Sequence, residues 1–186
     1  MAETAAAFKL RISAIAGPNV FRKSALNIRD GAGVLERVLG TGRYRRVLEI
    51  GTFKGATAAF MAQFCEHIDT IDLEYGRLEQ LGETFDHRAF WDAAGSDNIE
   101  LHLVRGAVEK AALIAELNFD LAFIDGGKND VARDFASVKH CGAVLFHDYA
   151  SRGQRSLDAV YNFVNGLPQE QVKIMDIFAL WRAGGY

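Results

Sequence analysis

The fold is indicated most directly by Val47-Leu48-Glu49-Ile50-Gly51-Thr52-Phe53-Lys54-Gly55, which passes from an apolar strand pattern through a glycine turn into a helix pattern. In an open α/β sheet, ligands bind at the carboxyl ends of the strands, beside the first strand, where the strand order reverses. Gly51 allows a sharp turn and a close approach of the backbone to a ligand. This stretch therefore predicts a ligand-binding loop.

The glycine spacing in this loop separates several classes of ligand. An acid stands two residues before the first glycine, which gives E-x-G-x-x-x-G from Glu49 to Gly55. Dinucleotide folds carry G-x-G-x-x-G, and phosphate loops end in Gly-Lys-Ser/Thr, and the loop has neither pattern. A carboxylate at Glu49 suits a cationic amino-acid portion better than a pyrophosphate. A glycine pair after a strand is also common as plain turn chemistry.

Strand patterns alternate with helix patterns along the chain, which predicts βαβ units and a parallel sheet covered by helices on both faces. The predicted strands are 46–50, 68–72, 99–104, 119–125 and 142–147, with two short strands in 171–182 that meet near Asp176. The predicted helices are 33–39, 56–65, 77–91, 108–117, 129–140 and 156–164. We expect a single domain over residues 1–186, in which residues 1–45 form an N-terminal helical cap segment.

Composition narrows the class of protein. No apolar run reaches the roughly 18 residues that a membrane span needs, and the net charge of −3 disfavours a dedicated nucleic-acid binder. Residues 1–46 nevertheless hold nine Lys or Arg against three acids, which would suit either an anionic partner or a solvated basic face. Cys65 and Cys141 lack metal-site spacing and are predicted to be reduced core thiols, which favours a cytoplasmic location.

Acidic and basic residues follow the later strands. Asp72 ends the second strand, some twenty residues past the loop, where an acid accepts hydrogen bonds from ribose hydroxyls in nucleotide-binding sheets. Its alternative role is a helix cap or a solvated strand end. Asp125 ends the fourth predicted strand and Lys128 follows it, and His147 ends the fifth and is followed by Asp148.

These strand-end residues are expected to converge, because the carboxyl ends of neighbouring parallel strands share one edge of the sheet. Asp125, His147 and Asp148 would suit a divalent cation. Oxygen ligands favour Mg²⁺ or Ca²⁺, and a bound imidazole favours Mn²⁺ or another transition metal. The alternative is that the two carboxylates line a cofactor pocket that holds no metal.

With these motifs in view, the chain resembles the class I S-adenosylmethionine-dependent methyltransferases. The resemblance rests on Leu48–Gly55, Ile71-Asp72 and the fourth- and fifth-strand ends. It is closest to the small O-methyltransferases of the catechol type and those that modify sugars of natural products. It implies a doubly wound, Rossmann-like α/β fold with a seven-stranded, mostly parallel sheet in the order 3-2-1-4-5-7-6, in which strand 7 is antiparallel.

The resemblance also implies roles for individual residues. The loop would surround the methionine part of the cofactor, Asp72 would hold the ribose, and Asp125 would lie beside both cofactor and metal. The remaining cofactor residues implied are Gly51, Thr52, Phe53 and Gly55 around the methionine and Gly106 and Ala107 at the adenine. Many relatives carry a polar residue where Ala107 stands, so adenine contacts would come from the backbone.

Catalytic roles follow in the same way. In catechol-type relatives the fourth-strand acid binds the metal, and a lysine three residues later acts as base, which is the spacing of Asp125 and Lys128. Sugar-modifying relatives often have histidine at the position of Lys128. The sequence His147-Asp148-Tyr149 departs from both branches, so the second metal ligand stays open.

The leading interpretation is O-methylation of a small hydroxylated molecule, with assistance from Mg²⁺ or Mn²⁺ as an option. A cofactor-binding protein without catalysis is the first alternative, motivated by Lys128 and His147. An RNA methyltransferase is disfavoured by the acidic charge. A homodimer is an option because the cap is short.

Overall fold

The computed structural model describes residues 2–22, 24–27, 30–75, 80–149 and 155–186. These residues form one seven-stranded sheet in the order β3-β2-β1-β4-β5-β7-β6. The strands are β1 (Arg46–Ile50), β2 (His67–Leu73), β3 (Ile99–Val104), β4 (Leu121–Ile124), β5 (Ala143–Phe146), β6 (Val172–Met175) and β7 (Phe178–Arg182).

Seven α-helices are found in the described residues: α1 (Ala5–Ala16), α2 (Gly31–Leu39), α3 (Ala56–Met61), α4 (His87–Ala94), α5 (Ala107–Glu116), α6 (Val131–Val138) and α7 (Arg155–Asn165). Short 3₁₀ helices lie at Pro18–Phe21, Ala25–Asn27, Lys128–Asp130, Lys139–Cys141 and Gln169–Gln171. None of the described helices combines the length and the apolar character that a membrane span requires.

The predicted topology is confirmed. Strands β1 to β5 pair in parallel, and β7 runs antiparallel to both β5 and β6. Ile50, the last residue of β1, is level with Ile71 of β2 and Ile124 of β4. The segments that follow these three strands therefore begin at one edge of the sheet, and this edge carries the candidate site.

Each face of the sheet is covered by its own buried cluster, as a parallel sheet requires. One cluster joins Val47 and Phe123 to buried residues of α1, α2 and α3, among them Phe8, Leu35 and Phe60. The other joins Leu48 and Ile124 to residues of α5, α6 and α7, among them Ile114, Phe135 and Val160. Alternating strand residues therefore contribute to opposite faces.

Several predicted boundaries were wrong. The helix predicted over 77–91 lies partly outside the described residues, and residues 81–86 are not helical. Instead α4 begins after Asp86, whose side chain accepts from the Ala89 amide at 2.9 Å, and it ends at Gly95 with φ +70°. The helix after β1 ends at Met61, and β4 and β5 are shorter than predicted.

Helix α1 was not predicted as a separate element. Its polar and apolar residues are poorly segregated, and only Phe8 and Ile12 are buried. Phe8 packs edge-on against Phe60 of α3, with ring centroids 5.2 Å apart. Ser24 and Thr57 share a hydrogen bond of 2.9 Å. The N-terminal segment thus packs on the helix that follows the loop.

Candidate active site

The loop after β1 needs glycine at two positions. Gly51 has φ +102°, and a Cβ there would lie 2.7 Å from the carbonyl oxygen of Asp125. Gly55 has φ +71°, and a Cβ there would lie 2.7 Å from the indole of Trp91. Side chains are therefore excluded both by the backbone conformation and by close neighbours. The loop lies tightly against the end of β4 on one side and α4 on the other.

Three hydrogen bonds fix the loop. The Phe53 amide donates to Asp72 Oδ2 at 2.8 Å, and the Trp91 indole N–H donates to the Gly55 carbonyl at 3.0 Å. His87 Nε2 lies 2.6 Å from the Phe53 carbonyl. Phe53 itself has φ +48°, an uncommon conformation for an aromatic residue. His87 and Trp91 were not predicted to contact the loop.

Glu49 is fully buried beneath the loop. Its Oε2 accepts from the Thr70 hydroxyl at 2.5 Å, and Thr70 in turn lies 2.7 Å from the Thr52 hydroxyl. Its Oε1 is buried without a hydrogen-bond partner among the described residues. Burial raises the pKa of Glu49 well above its usual value, opposed by the Thr70 hydrogen bond and reinforced by the charges of Asp125 and Asp72.

Such an acceptor is costly to bury unless something donates to it. A cationic amine bound at the loop would supply both the missing donor and a compensating charge. This fits the amino-acid portion of S-adenosylmethionine, the group that the resemblance implies for this loop.

The other predicted cofactor residues lie at neighbouring strand ends. Asp72 is half-buried at the end of β2, where its Oδ1 accepts from the Leu73 amide at 2.8 Å. Gly106 precedes α5, and a Cβ on it would meet no atom of the described residues within 4 Å. Ala107 is the first residue of that helix. The positions predicted for ribose and adenine thus lie at the carboxyl ends of β2 and β3, respectively.

The structure brings Asp125, Lys128, His147 and Asp148 together. Lys128 Nζ lies 3.0 Å from Asp125 Oδ1 and 2.7 Å from Asp148 Oδ2. His147 Nδ1 lies 2.7 Å from Asp125 Oδ1 and 3.3 Å from Asp148 Oδ1. We call these four residues the rim cluster. Asp148 has φ +63°, an uncommon backbone conformation for a residue other than glycine.

Charge pairing governs ionisation in the rim cluster. Burial alone would lower the pKa of His147, but the charge of Asp125 and hydrogen bonds to both acids outweigh it and raise that pKa to about 9. Burial would raise the pKa of Asp148, but His147 and Lys128 lower it well below its usual value. Burial would also lower the pKa of Lys128, but Asp125 and Asp148 outweigh this effect and raise that pKa. Two anions therefore face two cations.

The three predicted metal ligands do meet, since ligand atoms of Asp125, His147 and Asp148 lie within 4.8 Å of one another. However, the space between the two carboxylates is occupied by the Lys128 ammonium, and their charge is already balanced. A divalent cation would have to displace this ammonium and compete with a protonated imidazole. The arrangement as it stands does not fit such a cation.

The sequence pattern of a methyltransferase-domain family matches residues 48–149, which contain both the loop and the rim cluster. The chain belongs to this methyltransferase family. The predicted recognition as a class I methyltransferase enzyme is thereby confirmed. A comparison with curated protein sequences finds no match.

Several solved structures have a fold similar to that of this methyltransferase. An O-methyltransferase of tomaymycin synthesis from Streptomyces achromogenes, in complex with S-adenosylmethionine, is 20% identical, with TM-score 0.66 over 92% of this chain and 88% of that one. An S-adenosylhomocysteine-bound methyltransferase from Podospora anserina is 16% identical, with TM-score 0.67 over 98% and 88%. An O-methyltransferase from Bacillus cereus is 15% identical, with TM-score 0.60 over 94% and 96%.

Proposed function

We propose that this methyltransferase transfers the methyl group of S-adenosylmethionine to a hydroxyl oxygen of a small acceptor. The observation that carries the proposal is the buried side chain of Glu49 beneath a glycine loop, with one oxygen that no described residue hydrogen-bonds. The cofactor complexes of the Streptomyces and Podospora proteins, which share this fold, support the same cofactor here.

Each cofactor group has a counterpart among the predicted residues. Glu49 Oε1 would accept from the amino group of the methionine portion, with Gly51, Thr52, Phe53 and Gly55 forming the wall of its pocket. Asp72 has lone pairs left after binding the Phe53 and Leu73 amides, and these would accept from ribose hydroxyls. The backbone at Gly106 and Ala107 would contact the adenine.

When bound, the cofactor would supply an electrophilic methyl carbon on a sulfonium, whose sulfur would be the leaving group when the methyl passes to the acceptor oxygen. The protein must hold that oxygen about 3 Å from the carbon and remove its proton. The rim cluster lies at the same edge of the sheet as the loop, because Asp125 directly follows β4 and its amide donates to Ile50 of β1 at 2.9 Å.

Within the rim cluster, we assign proton acceptance to a carboxylate, with Asp125 first. Lys128 is the predicted base, but its two ion pairs favour the ammonium form, which has no lone pair to accept a proton. The ammonium would instead stabilise negative charge that develops on the acceptor oxygen. His147 holds Asp125 in place through Nδ1.

An activity assay tests the proposed function. Tag-free protein is incubated with S-adenosylmethionine and a panel of catechols, sugars and hydroxy acids, once with a chelator and once with Mg²⁺ or Mn²⁺. We expect release of S-adenosylhomocysteine with at least one acceptor in the chelator arm, and a loss of roughly 10²-fold or more in Lys128→Met.

Two other results would contradict parts of this proposal. Turnover that requires added metal would restore the predicted metal assistance by Mg²⁺ or Mn²⁺. Cofactor binding without turnover of any acceptor would favour the alternative of a binding protein without catalysis.

A further inference from the structure

A second polar cluster lies on the sheet, away from the cofactor loop. It comprises His67 and Asp69 of β2 and Glu100 and His102 of β3, and we call it the edge cluster. Asp69 is level with Glu100 and Ile71 with His102, so all four residues share one face of the sheet. At about 3.3 Å per strand residue, His67 lies about 17 Å from Asp72 at the other end of β2.

Asp69 is the centre of the edge cluster. Its side chain is only 3% exposed, whereas those of His67, His102 and Glu100 are 25%, 17% and 61% exposed. Asp69 Oδ1 lies 2.9 Å from His102 Nε2 and 3.3 Å from His67 Nε2. Asp69 Oδ2 is buried without a hydrogen-bond partner among the described residues.

From this geometry we propose that the edge cluster binds a divalent transition-metal ion, with Zn²⁺ as the best fit. Ligand atoms of His67, Asp69 and Glu100 lie within 4.8 Å of one another. Two ligands about 2.1 Å from a tetrahedral ion are about 3.4 Å apart. His67 Nε2 stands 3.3 Å from Asp69 Oδ1 and 4.0 Å from Glu100 Oε2, so only Glu100, the most exposed of the three, has to move.

Charge favours this site over the rim cluster. Asp69 and Glu100 supply two negative charges. Among the described residues, Arg46 is the one Lys or Arg found within 4.0 Å of either acid, with its Nη2 3.9 Å from Asp69 Oδ2. Arg46 is turned toward the Asn118 carbonyl, to which its Nε donates at 2.7 Å. With neutral histidines, the edge cluster keeps a net negative charge, whereas in the rim cluster two cations already balance two acids.

The fourth residue has a supporting role. Metal-binding carboxylates are themselves held by hydrogen bonds from neighbouring groups. The contact between His102 Nε2 and Asp69 Oδ1 is of this kind. A mixed set of imidazole and carboxylate ligands, open to solvent on the side of Glu100, suits Zn²⁺ better than Mg²⁺ or Ca²⁺.

The proposal is tested by a titration in which the tag-free full chain competes with a chromophoric chelator for Zn²⁺. We expect one ion per chain, and His67→Ala and Glu100→Gln should each weaken binding at least about tenfold. The control Glu116→Gln removes an exposed acid elsewhere and should leave the affinity unchanged. Zn²⁺ should also raise the melting temperature of the wild type but not of Glu100→Gln.

Two further variants locate the ion. Cys65→Ser removes a nearby thiol, and Asp125→Asn weakens the rim cluster, and neither should change the affinity. Full affinity in both His67→Ala and Glu100→Gln would overturn the proposal, as would loss of binding in Cys65→Ser or Asp125→Asn. Absence of any Zn²⁺ binding by the wild type would overturn it as well.

Discussion

The Thr70 hydroxyl lies 2.5 Å from the Glu49 carboxylate, and both side chains are completely buried. The two residues are level with each other on neighbouring strands, so the sheet register itself creates the contact. Thr52 extends it into the loop through a hydroxyl pair of 2.7 Å. A buried acid is thereby fixed in position below the turn that we propose as the cofactor site.

Replacing Thr70 tests this contact. Thr70→Val keeps the shape of the side chain but leaves both Glu49 oxygens without a donor, which should lower the free energy of unfolding by about 1–3 kcal/mol. Thr70→Ser keeps the hydroxyl and should lose less. Urea unfolding of the two variants measures the difference, and equal losses would contradict the role given to the hydrogen bond.

Gly51 is expected to tolerate no side chain. Gly51→Ala places a Cβ 2.7 Å from the Asp125 carbonyl at φ +102°, so it should cost about 3 kcal/mol or more in stability. Gly42 is the matched control, because it also has positive φ but a Cβ there meets nothing within 4 Å. Gly42→Ala should cost only about 1 kcal/mol. If thermal unfolding shows the same loss for both, the close approach of loop and β4 is wrong.

The pairing of His147 with Asp125 predicts a pH dependence of stability. The pKa of His147 is about 9 in the folded protein, against about 6.5 when unfolded. Its stabilising contribution is therefore complete below pH 6.5 and is lost as the pH rises through 9, by about 3 kcal/mol in total.

The His147→Gln variant isolates this contribution. Denaturant unfolding of wild type and variant between pH 6 and 10 should show the wild-type advantage shrinking as the pH rises. An advantage that stays constant over this range would show that His147 is not ionised by its neighbours.

We predict that the Lys128 ammonium occupies the position between Asp125 and Asp148 that a divalent cation would otherwise take. Lys128→Ala removes it and leaves Asp125 and Asp148 without their shared partner. This variant should bind Mn²⁺ more tightly than the wild type, because two carboxylates then face each other with less compensation. Electron paramagnetic resonance of free Mn²⁺ in titrations measures this, with Lys128→Arg as the control that keeps the charge. Equal Mn²⁺ affinity in all three proteins would contradict the assignment.

Much of the fold could be predicted because the central strands are short apolar runs between helix patterns. The bounds of β1 and β3 were predicted to the residue, and the antiparallel pair near Asp176 was also confirmed. Helix α1 was missed since only two of its residues are buried. The start of α4 was missed because it depends on the Asp86 cap rather than on hydrophobic spacing.

In the candidate sites, too, some contacts could be predicted from the sequence and others could not. Asp125, Lys128, His147 and Asp148 could be predicted to meet, because parallel strands bring their carboxyl ends to one edge. Contacts across long sequence separations could not be predicted: His87 and Trp91 reach the loop from 34 and 36 residues away. The edge cluster could not be predicted either, because its residues come together only through the register of β2 and β3.

Calorimetric binding of S-adenosylhomocysteine tests the central claim most directly, because it needs no knowledge of the acceptor. We expect micromolar binding to the wild type, with clear weakening in Asp72→Ala and in Glu49→Gln. The control Asp97→Asn, an exposed acid elsewhere on the chain, should bind as the wild type does. No binding to the wild type, or equal binding by Asp72→Ala, would contradict the assignment of this loop as the S-adenosylmethionine site.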